Sequence, residues 1–251
     1  WFISNSRNNP FKFKIPNNSI IPGKGYLVIY EYQFNVPGDD NAFTFNSAHG
    51  DEAVLLSADA NEKPLLWMDA TTFEASENGV SFARYPNGTG PLLISSDLSF
   101  GTAVRKNFPE SFLSEFRKGK GESNKAPKVG PLITTRIQYN PPINGDEFIE
   151  IQNITEAPVA LYDTEFPTNS WKLESAVQYT FPTNLWLGPG EKLIVSGVTP
   201  EAFRSRQTIP SDVVAVLGPW VGLLNNAGDT IALFKPDPPQ GPQHPDFGFV
   251  P

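Results

Sequence analysis

The stretch Phe13-Lys14-Ile15-Pro16-Asn17-Asn18-Ser19-Ile20-Ile21-Pro22-Gly23-Lys24-Gly25-Tyr26-Leu27-Val28-Ile29 has a gapless counterpart 166 residues later. The counterpart is Tyr179-Thr180-Phe181-Pro182-Thr183-Asn184-Leu185-Trp186-Leu187-Gly188-Pro189-Gly190-Glu191-Lys192-Leu193-Ile194-Val195. Each copy reads as a short strand, a Pro/Asn turn, an apolar step, a Pro-Gly turn and a second apolar strand. The spacing therefore points to one β-module used twice.

A second pair follows the first. Gly50-Asp51-Glu52-Ala53-Val54-Leu55-Leu56 is matched by Gly228-Asp229-Thr230-Ile231-Ala232-Leu233-Phe234 at an offset of 178, which leaves about twelve extra residues in the second copy. Within them Pro200-Glu201-Ala202-Phe203-Arg204-Ser205-Arg206 reads as a short helix with Pro in its first turn. Trp1 pairs with Trp171, each opening the strand before the first motif.

The equivalences also mark what each copy lacks. The second copy has about 40 residues before Trp171, including Leu132–Tyr139 and Glu147–Asn153, with no counterpart ahead of Trp1. The first continues past its Gly-Asp strand through Trp67 to Phe73 and on through Gly79–Pro86, whereas the second stops at Pro251. The expectation is a pair of β-sandwiches, the first without its opening strands and the second without its closing ones. Such a chain is either a fragment of a longer protein or one whose open edges are completed by strand exchange.

Composition agrees with an all-β reading. The 25 Pro and 20 Gly are spread along the 251 residues, which suits many turns between short strands. With 19 Phe and 5 Trp, a few large side chains carry much of the burial. Val54-Leu55-Leu56 and Leu193-Ile194-Val195 read as strands buried on both faces. Phe148, Ile149 and Ile151, set among Glu147 and Glu150, read as a half-buried strand. The division expected is residues 1–105, a linker at 106–130, and residues 131–251. Arg105 to Lys128 holds seven basic residues and three Glu. Ser111–Arg117 reads there as one short helix with Phe112, Leu113 and Phe116 on a face. The plain reading is a solvated linker, and the sharper one is a basic strip for an acidic polymer.

A net charge of −8 argues against nucleic acid and against an anionic membrane surface, because both demand surplus Lys and Arg. No apolar run is long enough for a transmembrane helix. The absence of Cys removes disulfides, thiolate nucleophiles and Cys-based zinc.

Glu147-Phe148-Ile149-Glu150-Ile151-Gln152-Asn153, following Ile137-Gln138-Tyr139-Asn140-Pro141-Pro142, resembles the opening of a bacterial lamin-tail domain. That family continues with a Trp strand, a Phe-Pro turn, a Pro-Gly turn and a Gly-Asp strand, in the order found here. Thr135-Arg136-Ile137 stands where the family commonly has Asn-Glu-Ile. Ala202-Phe203-Arg204 through Ile209-Pro210-Ser211-Asp212-Val213, Gly218-Pro219-Trp220 and Leu224–Asp229 carry the likeness onward. The resemblance covers nearly everything except the linker. It implies tandem immunoglobulin-like sandwiches from a long exported bacterial protein, secreted or at the cell surface. Such domains often stand beside catalytic ones, and their own molecular role is poorly defined, so the resemblance speaks to fold more than function.

Candidate chemistry is sparse. The two histidines are His49, in an expected turn, and His244, in the Pro/Gly-rich tail, and no Gly-x-Ser-x-Gly elbow or phosphate loop accompanies them. No cofactor is expected. The only metal considered is a structural calcium at Asp39, Asp40 and Asn41, where turn capping by the same side chains is the competing account. The ligand-binding candidates are aromatic: Trp186 and Trp220 near Pro-Gly turns, and Tyr30 and Tyr32 at the end of an expected strand. Both Trp are flanked by Leu or Val, which favours a core position over a binding one. The leading expectation is a non-catalytic structural, adhesive or assembly module whose partners are flanking domains or further copies. The alternative is a carbohydrate-binding module serving a neighbouring catalytic domain.

Overall fold

The computed structural model describes residues 1–77, 80–95, 121, 123–242 and 247–249. Among them are sixteen short strands and two short helices, an all-β architecture. The chain divides into two compact units, Trp1–Lys128 and Val129–Pro251.

The first unit holds an antiparallel sheet in the order β2 (Phe13–Lys14), β1 (Phe2–Ser4), β3 (Asp51–Ala58), β4 (Pro64–Phe73). A separate hairpin pairs β5 (Phe82–Arg84) with β6 (Leu92–Ile94). Helix α1 (Glu31–Phe34) is a single turn that buries Phe34. Phe34 stacks on Phe43 at 4.5 Å, and edge contacts run from Phe13 through Phe34 and from Phe43 through Phe45 to Phe73. Aromatic rings therefore bind this small unit together, each covering more area than an aliphatic side chain.

The second unit has two four-stranded sheets. One runs β15 (Val221–Gly222), β11 (Val177–Thr180), β10 (Lys172–Ser175), β16 (Ile231–Phe234). The other runs β14 (Val213–Leu217), β13 (Lys192–Ser196), β8 (Phe148–Asn153), β7 (Leu132–Gln138). A short pair, β9 (Val159–Ala160) with β12 (Trp186–Leu187), stands beside them. One core draws on both large sheets, with Leu173 and Val177 from the first and Ile149, Ile151, Leu193 and Val195 from the second. This is sandwich-like packing.

Pairing in the two units follows one scheme. Phe2 faces Lys14 on one side and Leu56 on the other. Lys172 faces Thr180 and Phe234, the residues that the sequence offsets assign to those places. The Ile15 N–H donates to the Trp1 carbonyl at 2.9 Å, and the Phe181 N–H donates to the Trp171 carbonyl at 3.0 Å. Asn18 and Asn184 take φ of 65° and 64°, the left-handed turn geometry that Asn tolerates. The Asp51 carboxylate accepts the backbone N–H groups of Asn46 and Glu52, and that of Asp229 accepts those of Asn225 and Thr230.

The extra residues of the second copy have a structural use. Helix α2 (Pro200–Arg206) is capped by the Thr199 hydroxyl, which accepts the Ala202 N–H at 3.3 Å. Its Phe203 packs with Ile194, Val213 and Val216 on the outer side of β13, so Leu193-Ile194-Val195 is covered on both faces. Val54 and Leu56 are buried while Leu55 between them is only partly so, which corrects the two-faced expectation for β3. Residues Phe148–Asn153 depart the other way. Glu150 is buried as well, accepting the Thr135 hydroxyl at 2.8 Å with Arg136 at 4.0 Å.

Tyr26–Ile29 makes the largest departure from expectation. Its counterpart lies within β13, but these four residues belong to no strand. The cause is the neighbourhood: β13 is flanked by β8 and β14, and the described residues of the first unit provide neither.

Candidate functional site

The aromatic candidates separate. Trp220 is 6% exposed and lies in the core beside Leu224 and Val177, which corrects its reading as a ligand platform. Its indole packs over Gly197, where a Cβ would come within 3.4 Å, and the Trp220 backbone N–H donates to the Ser196 carbonyl. Trp186 is on the surface at 48% exposure. It occupies an outward position of β12, whose next residue, Leu187, is fully buried. Its indole N–H donates to the Tyr162 hydroxyl at 3.1 Å, and the rings meet edge to face with centroids 6.0 Å apart. Sequence reading missed Tyr162, which follows buried Leu161 just past β9 and carries no motif of its own.

Tyr30 and Tyr32 do not end a strand. Tyr30 sits at the N-terminus of α1 and Tyr32 within it, their rings stacked 5.9 Å apart at an interplanar angle of 14°. The Gln33 side chain accepts the Tyr30 N–H and so starts a helical turn where the apolar run predicted an extended chain.

The carboxylates are largely engaged in holding loops. Asp39 accepts the Asn41 N–H at 2.9 Å, the turn-capping arrangement, and Asp39, Asp40 and Asn41 all face solvent. Among the described residues no three His, Asp or Glu side chains converge as a metal site. Asp146 is buried and pairs with Arg206 of α2 at 3.1 Å, tying that helix to the β7–β8 connection. Glu147 accepts the Leu224 N–H at 3.3 Å. Asn153 is fully buried; its amide donates to the carbonyls of Ala157, Leu187 and Gly188 and its oxygen accepts the Thr155 N–H and hydroxyl. His49 lies in the turn before Gly50, where its N–H donates to the Asn46 side chain. His244 and the Ser111–Arg117 helix lie outside the described residues.

The remaining feature is a set of exposed apolar side chains on the first unit. Ile20 is 83% exposed, Ile21 56% and Leu27 41%. The Tyr26 hydroxyl contacts Ser123 Oγ at 3.1 Å and accepts from Asn87 at 2.8 Å. Gly121 passes so close to the side chains of Tyr26 and Val28 that a Cβ there would stand 2.7 Å from Tyr26. Among the described residues, no backbone hydrogen bond reaches Tyr26–Ile29. In β13 the equivalent N–H and C=O groups are committed on both sides.

No helix among the described residues is long and apolar enough to cross a membrane. No family model matches the chain, and no curated protein or solved structure matches it either.

Proposed function

We propose that the chain is a pair of tandem immunoglobulin-like sandwiches of the lamin-tail kind. They act as a non-catalytic structural and joining module of a larger exported bacterial surface protein. The observation that carries the reading is the common register of the two units, in which Phe2–Lys14–Leu56 and Lys172–Thr180–Phe234 hold the same places. A module built twice from one pattern suits spacing and joining of neighbouring domains. The use of the polar groups supports a non-catalytic role: Asp51, Asp229, Asp146, Glu147 and Asn153 bind loops and helix ends rather than facing a shared cleft. Its partners are then proteins, as flanking domains or further copies.

The test is the native protein. An antibody raised against the chain is used on fractionated source cells. The expected outcome is a species well above 27.6 kDa in the surface or secreted fraction. A 27.6 kDa species confined to the cell interior would contradict the reading.

Trp186 favours a second reading, carbohydrate binding. An exposed indole fixed by Tyr162 offers an apolar face beside a phenol, which is the chemistry for stacking on a sugar ring. A glycan array with the parent chain and its Trp186→Ala variant tests it. Binding by the parent that the variant loses supports a sugar site, and no binding by the parent removes it.

A further inference from the structure

We infer that Tyr26–Ile29 is an acceptor edge for an added β-hairpin with the pattern of Leu132–Asn153, supplied by a further copy of the module. The inference rests on the tandem reading, because the second unit displays what completes the first. There, Lys192, Leu193, Ile194, Val195 and Ser196 pair antiparallel with Gln152, Ile151, Glu150, Ile149 and Phe148. Shifted by the repeat offset, Tyr26, Leu27, Val28 and Ile29 face the first four of these positions on an incoming strand, and Tyr30 beyond them is held by Gln33. Leu27 and Ile29 would then meet Ile151-like and Ile149-like side chains, as Leu193 and Val195 do.

Three observations specify the occupant. Tyr26–Ile29 is β-branched and aromatic in part and lacks backbone partners among the described residues, the condition in which a strand recruits another. On the same stretch Leu27 is exposed where its counterpart Leu193 is buried. Charge is compatible: Lys24 lies in the turn before Tyr26, and residues 132–153 hold Asp146, Glu147 and Glu150 against one Arg136, while Arg7 and Lys14 already pair with Glu52 and Glu62. The chain cannot spare its own hairpin, since β8 is bound by β13 on one side and β7 on the other.

The test is hydrogen exchange on the full chain with a synthetic peptide of the Leu132–Asn153 sequence. The expected result is saturable binding that slows exchange at Tyr26–Ile29 by about tenfold or more. A peptide carrying Ile149→Asp and Ile151→Asp should give no protection. Unchanged exchange at Tyr26–Ile29 would overturn the inference, and so would a change confined to Lys192–Ser196, which would mark exchange with the second unit's own hairpin. Where the free peptide aggregates, fusing it to the amino terminus through a flexible linker supplies it at about millimolar effective concentration, and the same exchange readout decides. The size and location of the native protein are read separately, so failure of one idea does not disguise failure of the other.

Discussion

Leu27 and Leu193 occupy the same place in two copies of one sequence pattern, yet Leu193 is fully buried and Leu27 is 41% exposed. Both follow a tight turn: the Gly25 N–H donates to the Pro22 carbonyl at 2.7 Å and the Glu191 N–H to the Gly188 carbonyl at 3.1 Å. Both turns place a left-handed residue at the same step, Lys24 at φ 60° and Gly190 at φ 74°. The local chain is thus alike up to the point where neighbours matter. Beyond it, Leu193 has β8 and β14 alongside and α2 behind its strand, and the described residues of the first unit place no such elements beside Leu27. An apolar run forms a buried strand only when other strands satisfy its backbone, because propensity for a sheet is mainly propensity to pack.

Truncation breaks the comparison most sharply. Leu193→Ala should cost about 2–5 kcal/mol, through lost burial and the cavity left behind. Leu27→Ala should change stability by no more than about 0.5 kcal/mol, as at other surface positions. Urea unfolding followed by tryptophan fluorescence checks both. Equal losses would mean that the two sites are not as different as their surroundings indicate.

Asn153 sharpens it next. Asn153→Ala removes the donor to the Ala157, Leu187 and Gly188 carbonyls and the acceptor of Thr155, and should destabilise the second unit by about 1–3 kcal/mol. Thr199→Ala removes the cap of α2, the helix that the first copy lacks, and should cost about 1 kcal/mol. Its effect should show in the unfolding of the second unit alone.

The smallest effect is electrostatic. Lys192 and Asp212 meet at 2.8 Å where β13 and β14 run parallel. Their hydrogen bond raises the lysine and lowers the carboxyl from their ordinary values. A lowered carboxyl contributes stability above its unfolded value and loses it as pH falls. A raised lysine contributes below its unfolded value and loses it as pH rises. The contribution should therefore hold through neutral pH and fade below the ordinary carboxylate range and above the ordinary lysine range. Asp212→Asn should flatten that component of a stability–pH profile, and a profile unchanged by the substitution would show the pair to be inert.

What the sequence disclosed was local. Pro200 with Phe203 marked α2, the Pro-Gly runs marked the turns, and Phe148–Asn153 marked a strand, though not its burial on both faces, because each signal lies within a few residues. The positions misread depend on distant chain. Trp220 stands in a Gly-Pro-Trp-Val-Gly turn in sequence but belongs to one core cluster with Val177 and Leu224 in space. Tyr30 and Tyr32 end an apolar run that would extend if a strand lay beside it, and instead they enter a helical turn fixed by Gln33. Trp186 carried its own signal, alternation with Leu187, but its partner Tyr162 comes from a loop 24 residues away.

Amide hydrogen exchange of the unmodified chain, comparing Tyr26–Ile29 with Lys192–Val195, tests the central claim most directly. The account predicts slow exchange at Lys192–Val195, approaching that of the most protected core amides, and fast exchange at Tyr26–Ile29. Comparable protection of the two stretches would contradict it.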